Sequence, residues 1–206
     1  MIIKINAIIA GLVILSLGAC KESKDKSCCK KDDAKEKVTE TIITPESVFN
    51  LDSRWIKQNK DSISLKDLSP KITIAAMVFT HCQSACPRIV ADIQRIEKAF
   101  TKEELQHIQF LLISMDPEND TPERFVEFGH EYKLNDNWIC ISSSEDATME
   151  LANVLNVRIK KLSDGGFDHS NAIHLIDHTG TIVYQQNGLA QEPTEIIAKT
   201  RNLIKL

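Results

Sequence analysis

Residues 72–87 read ITIAAMVFTHCQSACP, and this stretch decides the fold. The uninterrupted apolar run Ile72–Phe79 is typical of a strand that is buried on both faces of a sheet. Pro87 favours a helix start, because its missing N–H falls where a helix leaves N–H groups unpaired. The apolar residues that follow recur at helical spacing: Ile89, Ile93, Ile96 and Phe100. The stretch therefore predicts a buried strand leading into a helix, with Cys82 and Cys86 at the junction.

The rest of the chain alternates strand and helix patterns on both sides of this unit. Further strands are predicted at 62–65, 108–115, 138–141, 172–177 and 181–186, and further helices begin near residue 122, within residues 143–146 and near residue 193. The order β-β-α-β-α-β-α-β-β-α predicts an α/β domain over residues 41–206, with helices on both faces of a central mixed sheet. We expect this sheet to be mostly parallel with one antiparallel hairpin, which is the thioredoxin-like plan with an N-terminal extension and an inserted strand and helix.

Composition limits the class of protein. The chain has 206 residues, six cysteines and a net charge of −4. Without Lys4 and the charged residues of 21–40, there remain 17 basic and 23 acidic residues, so residues 41–206 carry −6. A nucleic-acid partner is excluded, because such binding needs a basic face. The cysteines are too sparse for a disulfide scaffold, so the core must hold most of the chain together.

The first 40 residues predict export and attachment to a membrane. Residues 1–19 combine Lys4 with a short apolar run, as a signal peptide does, and Leu17–Cys20 resembles the bacterial lipobox. That resemblance implies cleavage before Cys20 and lipidation of Cys20; the alternative is an uncleaved N-terminal anchor. Either hypothesis places the domain outside the cytoplasm, as a membrane-anchored protein on the periplasmic side or the cell surface. Residues 20–40 predict a charged, disordered tether, and the adjacent Cys28 and Cys29 could relay metal, form a strained disulfide or have no role.

Cys82 and Cys86 form the strongest candidate site. They follow the carboxyl end of a buried strand, where sites form in α/β sheets, and the start of a helix favours thiolate over thiol. A spacing of four residues can place both on one side of the first helical turn. The pair could close a disulfide or bind one soft metal ion; the alternative is two unrelated buried thiols.

A histidine precedes the predicted hairpin. Thioredoxins use C-x-x-C and place a cis-proline opposite the pair, whereas this chain has C-x-x-x-C and no proline between residues 122 and 193. The corresponding segment contains Asp168-His169-Ser170 and therefore offers an imidazole. Two thiolates and one imidazole suit Cu(I) and can accommodate Cu(II) with a further weak donor. Zinc ranks second, because structural zinc normally takes four ligands.

Three motifs together resemble the Sco/SenC family. They are T-H-C-Q-S-A-C-P at 80–87, S-M-D-P-E-N-D-T-P at 114–122 and D-H-S at 168–170. The resemblance implies a thioredoxin-like fold and copper ligation by Cys82, Cys86 and His169. It also implies delivery of copper to, or reduction of, the CuA site of cytochrome c oxidase, with the subunit that carries CuA or another cuproprotein as partner. The alternative function is a thiol–disulfide oxidoreductase, with Cys82 and Cys86 as the redox pair.

Several other side chains are candidates for supporting roles. Asp116 and Asp120 could support the site or dock a partner, or could cap a loop. Asp168 could orient the ligand loop, and His81 could be an accessory ligand. His174 and Cys140 lie in predicted strands, and we expect both to be structural.

Overall fold

The structure is a computed structural model, and it describes residues 43–163 and 165–205. The predicted signal peptide 1–19, the lipidation site Cys20 and the tether 20–40 with Cys28 and Cys29 lie outside the described residues. Within the described part of the chain, no helix combines the length and the apolar character that crossing a membrane requires.

Nine strands and five α-helices make up the described residues. The strands are β1 Arg54–Lys57, β2 Ser62–Ser64, β3 Ile72–Val78, β4 Ile108–Ser114, β5 Trp138–Ser142, β6 Ile159–Lys161, β7 Phe167–His169, β8 Ala172–Ile176 and β9 Ile182–Asn187. The helices are α1 Ala85–Glu97, α2 Lys102–Leu105, α3 Pro122–Tyr132, α4 Glu145–Val154 and α5 Thr194–Ile204; short 3-10 turns cover Val48–Asn50 and Leu65–Leu68. The predicted order of elements is confirmed, and β1, α2, β6 and β7 are additions to it.

Seven strands form one mixed sheet in the order β2-β1-β5-β4-β3-β8-β9, while β6 and β7 form a separate two-stranded ribbon. The prediction of a mixed sheet is confirmed, but the expectation of a mostly parallel one is wrong. Parallel pairing is confined to β3 with β4 and β4 with β5. The hairpins β1–β2 and β8–β9 add antiparallel strands on either side, because strands joined by a short turn can only pair antiparallel.

The core lies around the middle of the sheet. Every residue of β3 and β4 is buried, so both faces of these strands are covered. Helices α1 and α5 contact β3, and α3 contacts β5. The predicted stripe of α1 is buried: Ile89, Ile93 and Ile96 are at most 1% exposed. Each such side chain contributes roughly 1.5–3 kcal/mol to stability by leaving water. Both β3 and α1 are therefore held in the core, and the connection between them begins and ends at a buried element.

Helix α1 begins at Ala85 rather than at the predicted Pro87. Proline is tolerated there because the first turn of a helix has no internal partners for its N–H groups. The earlier start brings Cys86 into the first turn of α1 and leaves Cys82 in the connection from β3.

The N-terminal extension packs on the turn between β8 and β9. Ser47 Oγ donates to Thr179 O at 2.6 Å, and Val48 N–H donates to Gly180 O at 2.9 Å. Gly180 has a φ of +84°, and a Cβ at this position would overlap Ser47 Oγ, so glycine is required. Because Ile176 of β8 pairs with Thr73, this turn lies beside the start of β3.

Candidate metal centre

The two cysteines of the motif contact each other at the end of β3. Cys82 N–H closes a turn on Phe79 O at 3.2 Å, and Cys86 N–H donates to Cys82 Sγ at 3.4 Å. Phe79 N–H donates in turn to Cys86 Sγ at 3.4 Å. Both thiols are free, Cys86 is fully buried and Cys82 is partly exposed. The structure therefore brings the predicted pair together, with only Cys82 open to solvent.

The surroundings of the two thiols separate their acidities. Burial raises the pKa of Cys82, but hydrogen bonds from the main-chain N–H groups of Cys86, Ser84 and Ala85 outweigh burial, so this pKa lies below its usual value. Burial raises the pKa of Cys86. Cys82 is therefore the residue of the pair that ionises first.

His169 lies on the ribbon, at the end of β7. Its Nδ1 is 3.3 Å from Ser170 O, and burial lowers the pKa of the imidazole, which favours the neutral form that can bind a metal. Its ring meets the ring of Phe79 edge-on, with the centroids 6.2 Å apart. The ring of Phe79 also packs on the ring of Phe167, which lies in β7 with His169, and these two centroids are 5.1 Å apart.

Phe79 thus contacts the cysteine pair through its backbone and His169 through its ring. The structure gathers the three predicted ligands around this one residue. It does not close a metal site: within residues 43–163 and 165–205, no three His, Cys, Asp or Glu side chains are arranged to hold a metal ion. Phe79 was predicted only as the end of a strand, and a buried apolar pattern carries no signal for such a contact.

Asp120 joins the ends of the two central strands. Its carboxylate is fully buried and accepts from Thr80 N–H at 2.9 Å, from Thr80 Oγ1 at 2.7 Å and from Ser114 Oγ at 2.6 Å. Burial raises the pKa of Asp120. Asp116 is also buried; its N–H donates to Ser114 Oγ, and its carboxylate accepts from Asn119 Nδ2. Both aspartates therefore hold the loop between β4 and α3, and Asp120 also holds the residue two positions before Cys82.

The remaining candidates lie at the edge of the site or away from it. Asp168 is exposed opposite Lys160, and its charge opposes the lowering of the His169 pKa by burial. His81 is exposed, with Nδ1 at 3.4 Å from Thr80 Oγ1. Cys140 is buried in β5, where burial raises its pKa to about 12. His174 is fully buried, with Nε2 at 2.8 Å from Leu155 O, so the structural interpretation of His174 and Cys140 agrees with their burial.

Comparison with known proteins gives one consistent match. The sequence model of the SCO1/SenC family matches residues 45–205. Among solved structures, a SCO1/SenC family lipoprotein from Bacillus anthracis str. Ames is 26% identical with a TM-score of 0.68, over 76% of this chain and 95% of that one.

Two further structures carry functional descriptions. ScoI of Bradyrhizobium japonicum, solved with copper bound, is 25% identical with a TM-score of 0.63, over 73% of this chain and 96% of that one. BsSco, described as having a disulfide switch and belonging to the Sco family of cytochrome c oxidase assembly proteins, is 26% identical with a TM-score of 0.66, over 74% and 91% of the two chains. These likenesses confirm the predicted thioredoxin-like fold.

Proposed function

This chain belongs to the SCO1/SenC family, and from that premise we propose that it binds copper through Cys82, Cys86 and His169 and takes part in cytochrome c oxidase assembly. The observation that carries the proposal is the pairing of an ionisable Cys82 with a buried Cys86, with His169 on the other side of Phe79. The copper-bound relative from Bradyrhizobium japonicum supports the choice of metal.

The chemistry of the three donors fits copper. Two sulfur ligands and a neutral imidazole suit Cu(I), and this set can accommodate Cu(II) with another weak donor. Because the ligands are thiolates, binding would displace the proton that burial holds on Cys86, and copper affinity should decrease in acid. Burial lowers the pKa of His169 and so favours the neutral imidazole, which can bind copper without first releasing a proton. Coordination by all three requires them to converge further than they do here.

Transfer would start from the exposed side of the pair. Cys82 is partly exposed whereas Cys86 is buried, so an incoming thiolate of a partner could replace Cys82 first. The proposed receiver is the oxidase subunit that carries CuA, or another cuproprotein. The relative described as an assembly protein of cytochrome c oxidase supports this partner.

A thiol–disulfide oxidoreductase would use the same two cysteines without His169. The copper-bound relative favours metal binding over this alternative. An oxidoreductase would keep its activity in His169→Ala and lose it in Cys82→Ser, whereas a copper protein would lose affinity in both.

We also propose that the chain is an extracytoplasmic lipoprotein, lipidated at Cys20. The lipobox-like sequence and the Bacillus anthracis family lipoprotein support this proposal. Mass spectrometry of the native N-terminus should find a lipidated Cys20; an intact Met1 would contradict it.

An anaerobic Cu(I) titration of the full chain tests the ligand set. Every sample carries Cys28→Ser and Cys29→Ser, so that these cysteines bind no copper. We expect one copper per chain, and a large loss of affinity in Cys82→Ser, Cys86→Ser and His169→Ala. Cys140→Ser is the matched control, since Cys140 is a buried cysteine away from the pair. Unchanged affinity and spectrum in His169→Ala would show that the ligand set is wrong.

A further inference from the structure

All the polar groups of Thr80 are engaged by Arg124 of helix α3 and by Asp120, which lies two residues before that helix. Asp120 accepts the main-chain N–H and the hydroxyl of Thr80. Arg124 donates to the other side of the same residue: Nε reaches Thr80 Oγ1 at 3.2 Å and Nη2 reaches Thr80 O at 3.2 Å. Thr80 is therefore fixed in position from two directions.

Two glutamates farther along α3 hold the guanidinium of Arg124 in place. Its Nη1 donates to Glu131 at 2.8 Å and to Glu127 at 3.2 Å, and its side chain is only 19% exposed. Three separate nitrogen atoms of the guanidinium are in use at once. Lysine has a single nitrogen, so it could keep the charge here but not this pattern of contacts.

Arg124 is linked to the two cysteines through Thr80 and Phe79. Thr80 follows Phe79, and Phe79 supplies the carbonyl that binds Cys82 N–H and the N–H that binds Cys86 Sγ. A displacement of Thr80 would therefore also displace the carbonyl and the N–H of Phe79, which bind Cys82 and Cys86. It would also move the ring that packs against His169.

We propose that Arg124 is a positioning residue of the copper site, which acts through Thr80 to hold Cys82 Sγ against the N–H of Cys86. The proposal rests on the proposed copper-binding function, and it assigns to α3 an effect on the metal ligands that passes through Thr80 and Phe79. None of the three sequence motifs contains Arg124, which is the second residue after the motif at 114–122.

The test compares Arg124→Lys and Arg124→Gln with Arg201→Lys in the Cu(I) titration. Arg201 is a matched control, because its guanidinium also binds a glutamate, Glu104, and a main-chain carbonyl, Ala99 O, without contacting the residues of the cysteine loop. Both Arg124 variants should bind copper about tenfold more weakly, since residues that orient ligands typically contribute 10–100-fold to metal affinity. Arg201→Lys should bind as the wild type does. Equal affinity in Arg124→Lys and the wild type, or an equal loss in Arg201→Lys, would overturn the proposal.

A second readout needs no copper. Displacing Cys82 from the N–H of Cys86 should shift the pH midpoint of Cys82 alkylation upward in Arg124→Lys but not in Arg201→Lys. If the wild type binds no copper and this shift is seen, the positioning role stands and the proposed function fails. If no shift is seen, the positioning role fails whatever the copper result. Arg124→Lys decides both readouts should Arg124→Gln not fold.

Thr80→Val gives a check on the route of the effect. It removes the hydroxyl that links Arg124 to Asp120 while keeping the shape of the side chain. If Arg124 acts through Thr80, the losses of copper affinity from Thr80→Val and Arg124→Gln should be clearly less than additive when combined. Additive losses would show that Arg124 acts by another route and would overturn the proposal.

Discussion

The main-chain N–H of Cys86 lies 3.4 Å from Cys82 Sγ, so one cysteine of the pair stabilises the anionic form of the other. The reverse does not hold, since burial, with a smaller effect of a charge on Cys82, raises the pKa of Cys86. The pair thus combines one thiol that ionises more readily with one buried thiol whose ionisation is opposed.

This asymmetry predicts unequal reactivity. Iodoacetamide should label Cys82 in the folded, copper-free protein, with a pH midpoint below the usual thiol value of about 8.5. Cys86 and Cys140 should be labelled only after unfolding, because both are buried and have raised pKa values. Peptide mapping by mass spectrometry measures the order of labelling, and labelling of Cys86 before Cys82 would contradict the prediction.

Replacing Asp120 should destabilise the fold. Asp120→Ala leaves the donors of Thr80 and Ser114 without their buried acceptor, so the free energy of unfolding should fall by about 2–3 kcal/mol. Urea denaturation measures the loss. The control is Asp52→Ala at an exposed aspartate, for which we expect a change within about 0.5 kcal/mol.

The pH dependence of Asp120 provides a separate prediction. Burial raises its pKa in the folded protein above the usual value of about 3.9, so the folded chain holds this proton more tightly than the unfolded chain. Its stabilising contribution is therefore full below about pH 4 and is lost as the pH rises through the raised pKa. Relative to Asp120→Asn, which cannot titrate, the wild type should lose stability over this rise. A constant difference between the two proteins would show that the pKa is not raised.

The titration of His174 should make the protein less stable as the pH falls, which is opposite to the effect of Asp120. Burial lowers its pKa in the folded protein, so the unfolded chain takes up the proton first, near pH 6.5. The stability that depends on neutral His174 is present above pH 6.5 and is lost as the pH falls through that value. The decline in the free energy of unfolding between pH 7 and pH 5 should be shallower in His174→Asn than in the wild type. An equally steep decline in His174→Asn and in the wild type would contradict the prediction.

The ribbon should loosen when Phe167 is truncated. Phe167→Ala removes the ring that packs on Phe79, a contact worth about 0.5–1.5 kcal/mol beyond the area it buries. Hydrogen exchange should become faster across residues 159–169 and stay slow in β4. Leu162→Ala, at an exposed residue between the two ribbon strands, is the control. Unchanged protection of the ribbon in Phe167→Ala would mean that other contacts hold it.

The centre of the fold could be predicted because its signals are local. Buried strands such as β3 read as continuous apolar runs, and the stripe of α1 follows helical spacing. The direction of pairing has no such signal. All five residues of β8 are buried, as in a parallel strand, yet β8 pairs antiparallel with β3. This is why the sheet is less parallel than its sequence pattern suggests.

The ribbon and the Thr80 contacts could not be predicted for a related reason. Ile159–Lys161 contains one apolar residue, so this strand, which pairs with β7, carries little signal in its own sequence. Asp120 and Thr80 are 40 positions apart, and only the parallel pairing of β3 with β4 brings them together. The cysteine pair could be predicted because its members are only four residues apart at the end of one strand. The expected placement of both on one helical turn is wrong: Cys82 lies before α1, and the pair meets through the N–H of Cys86.

The N-terminal extension is attached to the sheet at the end of β3 opposite the cysteines. Ser47 and Val48 are bound beside the start of β3, whereas Cys82 follows its end, and seven strand residues span about 20 Å. Any load applied to the chain through Ser47 and Val48 is therefore taken up at the start of β3, a full strand length away from the partly exposed thiol of Cys82. Traction on this side of the domain leaves the exposed thiol open to a partner.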